Sequence, residues 1–123
     1  MAHLTQDMLL KVKDAVLQHN ASSIKLINET EATLDEIQKE IIHYMSTMVS
    51  QVSVTEREAQ RLADLMHVTG DIERIGDHCV NIIELTDYCV SERIRFSEQA
   101  AGEIAQTFDL AIDMMTTSTK ALA

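Results

Sequence analysis

The chain contains no proline, and its three glycines stand at positions 70, 76 and 102. A sheet protein turns often and usually spends both residue types on its turns. Here long stretches run without a breaker, and Ala, Leu, Glu, Gln, Met and Lys, all good helix formers, are plentiful. The chain is therefore expected to be all-α. Its 123 residues suit one domain, so residues 1–123 are read as a single helical bundle domain. With 46% hydrophobic and only 3% aromatic residues, the core must be aliphatic, with Met filling irregular gaps.

Apolar periodicity divides the chain into four helices. The first covers Thr5 to Gln18, with Met8, Leu9, Val12, Ala15 and Val16 on one face, and breaks at His19-Asn20. The second runs from about Ala21 to Gln51 on Ile24, Ile27, Leu34, Ile41, Met45 and Met48. Ser53 with Glu56 forms a capping-box pattern, with Val52 as its hydrophobic staple. The third runs from about Thr55 to Ser91 on Leu62, Leu65, Ile72, Val80 and Ile83. Ser97 caps a fourth helix ending near Ala121, with Ile104, Phe108, Ile112 and Met115 on its apolar face. Short connections make neighbours antiparallel. The expected architecture is an elongated antiparallel helical bundle of three long helices and a shorter N-terminal one.

The formal net charge of −10 disfavours nucleic acid and anionic membrane surfaces as direct partners, because no basic run offsets it. No apolar run is long enough to cross a bilayer. Cys79 and Cys89 lie roughly 15 Å apart along one helix, too far to pair, and read as reduced thiols of a cytoplasmic chain.

The acidic residues are not spread evenly around the helices. At roughly 100° per residue, Glu73, Asp77, Asn81 and Glu84 fall within about 80° of one another, and this sector borders the apolar one directly. In the second helix, Glu31 falls inside the apolar sector, with Asp35 about 40° away. A charge there is costly unless paired or coordinated. Each helix thus carries Glu-x-x-x-Asp, which sets two carboxylates side by side. Two such pairs facing each other would repel without a cation between them. An all-oxygen set suits iron, manganese, magnesium or calcium better than structural zinc. A single Glu-x-x-x-Asp is most often a solvated face, and it is the repetition against apolar sectors that favours metal. Gly76 inside a helix implies a tight crossing. Arg74 is expected to pair outward with Asp71 or Asp77, and His78 to lie off the acidic sector. No His or Cys pair has zinc spacing, and no Gly-rich phosphate loop exists.

The stretch from Gly70 to Glu84, with Glu73-Arg-Ile-Gly-Asp77 followed by Asn81-Ile and Glu84, closely resembles the signature of the PhoU family. Glu31 to Asp35, followed by Ile37, Ile41 and Tyr44, resembles that family's other acidic motif, and the likeness covers about residues 5 to 92. PhoU proteins usually hold two three-helix repeats, whereas this chain holds roughly one, with a fourth helix that begins a following repeat or closes the bundle. It is similar in this to the PhoU-like region at the cytoplasmic C-terminal end of bacterial sodium/phosphate cotransporter-like membrane proteins. The resemblance implies a non-catalytic regulator of phosphate transport or homeostasis, cytoplasmic or membrane-associated as part of a transporter protein. Its expected partner is a phosphate transporter membrane domain or a transport-regulatory protein. It also implies metal clusters held by the Glu-x-x-x-Asp motifs, here Glu31, Asp35, Glu73 and Asp77, with Asn81 and Glu84 outermost. A single repeat leaves an apolar strip uncovered, so a homodimer or larger assembly is expected. The competing classes are a di-metal carboxylate enzyme and a structural bundle without metal. Ferritin-like di-iron bundles add Glu-x-x-His motifs, and the four helices are read as holding no Glu followed three later by His, which argues against that class.

Overall fold

The computed structural model describes residues 1–51 and 53–122. It comprises four helices, α1 (Ala2–Gln18), α2 (Ile24–Gln51), α3 (Glu56–Ser91) and α4 (Glu98–Leu122), with no strand among the described residues. The all-α antiparallel bundle is as expected, although α1 begins three residues earlier and α2 three later than the periodicity predicts. The proposed staple at Val52 lies outside the described residues.

The helix ends follow local side-chain chemistry. α1 stops where His19 turns left-handed (φ 53, ψ 48). The His19 amide then donates to the Val16 carbonyl and the Asn20 amide to the Ala15 carbonyl, a Schellman closure. Asn20 Oδ1 accepts from the Ser22 amide and turns the chain into α2. α3 ends the same way, with Arg93 left-handed (φ 56) and the Ile94 amide donating to the Cys89 carbonyl. At the start of α3, the capping box uses Thr55 and Glu58 instead of Ser53 and Glu56. Thr55 Oγ1 accepts from the Glu58 amide, and Glu58 Oε2 accepts from the Thr55 amide. Both pairs satisfy the same pattern two residues apart, so the pattern alone does not choose between them. Ser97 Oγ accepts from the Ala100 amide and caps α4 as expected.

α1 is the shortest helix and the centre of the bundle. It contacts α2, α3 and α4, and it buries Thr5, Met8, Leu9, Val12, Ala15 and Val16, one continuous stripe at helical spacing. α2 and α3 form the most extensive pair. They run antiparallel: Glu31 faces Asp77, and further along α2 Gln38 Nε2 reaches Glu73. α4 runs antiparallel along α1, tied by Gln6 Nε2 donating to Thr116 Oγ1 (2.8 Å) and by the Lys13–Asp109 ion pair. Its backbone makes no close approach to α3, although only 92–97 separate the two helices.

The α3 core face is made largely of small residues. Thr69, Gly76, Cys79, Ile83 and Thr86 are its buried positions, while Leu65 is exposed. Thr69 and Thr86 satisfy their hydroxyls on the Leu65 and Ile82 carbonyls one turn back, at 2.8 Å each. The small side chains let α2 come close. A Cβ on Gly76 would stand 2.9 Å from Cδ1 of the fully buried Leu34. Gly76 therefore occupies the tight crossing that its position in the sequence implies.

Candidate metal centre on the α2–α3 seam

The position of the seam follows from the two helical patterns. On α2, Ile27 and Leu34 are fully buried, and Glu31 lies between them on the same face, half-buried. On α3, the core line through Gly76, Cys79 and Ile83 runs beside Glu73 and Asp77, which border it. Antiparallel packing then brings the two motifs to one level. Ligand oxygens of Glu31, Glu73 and Asp77 all lie within 4.8 Å of one another. Two oxygens bound to one ion at about 2.0–2.6 Å can be no more than roughly 4–5 Å apart, so this spacing fits a hard cation with small side-chain adjustments. The donor set is entirely oxygen.

The electrostatics of the seam are those of like charges with too few counter-charges. Burial raises the Glu31 carboxyl above its ordinary range, and the neighbouring Asp77 and Asp35 raise it further, opposed only by Lys39. Burial also raises Glu73, reinforced by Asp77, Asp35 and Glu31, with Arg74 in opposition. The nearest hydrogen-bond donor to Glu73 is Gln38 Nε2, at a long 3.5 Å. Both shifts oppose ionisation, and a bound cation would reverse them.

The six acidic-face residues do not all converge. Glu31, Glu73 and Asp77 form the cluster. Asp35 lies near enough to raise both glutamates, but it accepts a 2.5 Å ion pair from Lys39 one turn along α2. Lys39 is largely exposed, and a surface pair of this kind is weak, so Asp35 is available at small cost. Glu84 is exposed and outside the carboxylate cluster, and Asn81 is exposed one turn beyond Asp77. The antiparallel register sets Glu84 opposite the beginning of α2, away from Glu31. Arg74 makes no ion pair with Asp71 or Asp77 among the described residues and acts on Glu73 instead. His78 is exposed, as its helical angle implies. Lys39 and Gln38 are the neighbours that sequence reasoning missed. An i,i+4 acid–base spacing from Asp35 would have signalled the lysine.

Contrary to the sequence reading, one Glu-x-x-His spacing does occur, from Glu40 to His43, and both residues are exposed on α2. A di-iron carboxylate bundle needs that motif on two helices, projecting inward. Buried Cys79 has its thiol pushed up to about 12 by desolvation, which makes it an inert core residue.

The protein is thus an antiparallel α-bundle in which carboxylates from two long neighbouring helices converge on one seam. The chain belongs to the PhoU domain family, whose pattern it matches over residues 1–86. That match takes in α1, α2 and α3 as far as Thr86, including both acidic motifs, and leaves α4 outside it. Comparison with curated proteins and with solved structures gives no match. No helix among the described residues is long and apolar enough to cross a membrane.

Proposed function

We propose that this chain is a non-catalytic regulatory domain of phosphate homeostasis that acts through protein contacts and a bound metal ion. The observation that carries the reading is that both acidic motifs of a PhoU domain contribute to one three-carboxylate cluster. Glu31, Glu73 and Asp77 bind the ion, and Asp35 joins when it releases Lys39. Asn81 and Glu84 take part only if a multinuclear cluster extends along α3. Iron, manganese, magnesium and calcium all suit the oxygen set. The ion neutralises the seam and so links metal supply to the stability of the α2–α3 pair. The partner is a phosphate transporter membrane domain of the sodium/phosphate cotransporter type, or a protein that regulates it, at the cytoplasmic face.

The test is phosphate uptake by the native host with this domain deleted and then restored as wild type or as the Glu31→Gln, Asp77→Asn double variant. Deletion is expected to alter the response of uptake to phosphate supply. Wild type should restore that response and the double variant should not. Uptake indifferent to deletion under both limiting and replete phosphate would overturn the regulatory reading.

A further inference from the structure

The backbone of α4 lies along α1 and makes no close approach to α3, which leaves an apolar crevice between α3 and α4. It consists of two grooves of about 640 and 650 Å³ that meet at Ala111. Leu85, Phe96 and Phe108 wall one groove, and Ile72, Ile75 and Met114 wall the other. Leu85 and Met114 are 64% and 62% exposed. Along α4 the two grooves reach from Ala100 to Leu122, about 33 Å at roughly 1.5 Å per residue. Exposed apolar surface of that extent marks an interaction site.

The lining narrows what can occupy the crevice. An extended strand laid there would leave backbone amides and carbonyls unpaired, because the walls are mostly aliphatic and aromatic. A helix satisfies its own backbone and presents apolar side chains at i, i+3, i+4 and i+7. About 22 residues of helix match the length. Charge narrows the class further. Each groove has one charged lining residue, and in both it is a carboxylate, Glu103 in one and Asp71 in the other. Both are exposed, and neither is in an ion pair among the described residues. Arg93 and Arg95 stand in the α3–α4 connection and Lys120 in the last turn of α4, and none of the three lines a groove. With a net charge of −10 behind the two carboxylates, an acidic segment is repelled and a basic one attracted.

We infer that the α3–α4 crevice docks a basic amphipathic helix of a partner protein, with its apolar stripe between α3 and α4 and its Lys or Arg side chains on Glu103 and Asp71. Cytoplasmic segments of membrane proteins carry an excess of Lys and Arg, which matches this chemistry. The inference rests on the reading that this domain acts through protein contacts at the cytoplasmic face, and it gives those contacts a place and a charge. Glu103 and Asp71 are not members of the carboxylate cluster on the α2–α3 seam, so the two sites can be tested separately.

The experiment is fluorescence anisotropy of a labelled synthetic peptide of about 22 residues, Leu on one helical face and Lys on the rest, titrated with the 123-residue chain. One control peptide carries Glu in place of Lys, and another holds the same residues in an order without a helical stripe. The basic amphipathic peptide is expected to bind at least about tenfold more tightly than either control. It should also slow the labelling of Cys89, which lines the crevice, by a thiol reagent. Paired Glu103→Lys and Asp71→Lys should weaken its binding about tenfold and admit the acidic peptide, with helicity and any metal response unchanged. Paired Glu36→Lys and Glu40→Lys, exposed on α2, change the net charge equally and should leave binding within about twofold. Equal binding of the three peptides, equal effects of the two double variants, or Cys89 labelling indifferent to bound peptide would each overturn the inference. So would Cys89 labelling that slows as protein concentration rises without peptide, which would seat a second copy in the crevice. If the peptide fails while phosphate uptake still depends on the domain, this inference falls and the regulatory reading stands. Binding as expected with uptake indifferent to deletion would sink the regulatory reading alone.

Discussion

Leu34 on α2 fills the hollow that Gly76 leaves on α3, with Cδ1 standing 2.9 Å from where a Cβ would be. Leu34 is fully buried, so any shift of its side chain has to be made within the packed core. An added methyl would force a rotamer or backbone shift, costing typically about 1–3 kcal/mol. Glycine within a helix itself costs about 1 kcal/mol relative to alanine. Gly76→Ala is therefore expected to destabilise the protein by about 1 kcal/mol net. Gly102→Ala, where a Cβ meets nothing within 4 Å, should stabilise it by about as much. Denaturant unfolding of the two variants side by side checks this, and equal gains from both would show that the crossing is loose.

Glu31 and Glu73 have carboxyls raised above their ordinary value of 4.5. A carboxyl whose folded-state pKa lies above its unfolded value contributes stability below the unfolded value and loses it as pH rises through the folded one. Metal-free protein should therefore be less stable at pH 7 than these two groups would allow if protonated. Glu31→Gln is expected to raise the melting temperature of chelated protein at pH 7. The gain should shrink on acidification and vanish near pH 4. Comparing variant with wild type cancels the remaining acidic residues. A gain independent of pH would mean that packing, not charge, is responsible.

Cys79 is buried and Cys89 is half-buried in the α3–α4 crevice. A thiol reagent should label Cys89 in the native protein and reach Cys79 only on unfolding. Mass spectrometry of partly labelled protein reads the order directly. Labelling of both at one rate would mean that α3 opens readily.

The backbone of α4 comes close to α1 alone, and Met115 is its only buried residue among the described residues. Its amides should exchange with solvent before those of α2 and α3 around Leu34 and Cys79. Met115→Ala, expected to cost about 2–5 kcal/mol, should increase exchange in α4 and much less on the α2–α3 seam. Uniform exchange across all four helices would show one cooperative unit.

Much of this was legible in the sequence, and the limits have physical reasons. Lack of proline and helical periodicity establish four helices, and Ser97, His19-Asn20 and Gly76 mark a cap, a break and a crossing. The α3 core face was not legible in full. Large apolar residues define a sector by hydrophobicity, but the buried line there runs through Thr69, Gly76, Cys79 and Thr86, and at Gly76 the missing side chain makes room for Leu34 of α2. Helix partners were legible only where a short turn forces them. The α3–α4 connection is short, yet α4 lies on α1, because α1 presents its own apolar stripe on that side. At the acidic face, angle alone grouped Glu84 with Glu73 and Asp77. Position along the axis separates it, since Glu31 lies at the level of Asp77 and α2 begins near the level of Glu84.

Glu31, Glu73 and Asp77 are proposed to share a cation. The most direct measurement is a thermal melt of chelated protein with and without added iron, manganese, magnesium or calcium, repeated on Glu31→Ala and Asp77→Ala. A shared cation should give a metal-dependent rise in the wild-type melting temperature that grows with ion concentration. Each variant should lose the rise while remaining folded. No rise with any of the four ions, or a rise that survives in both variants, would contradict it.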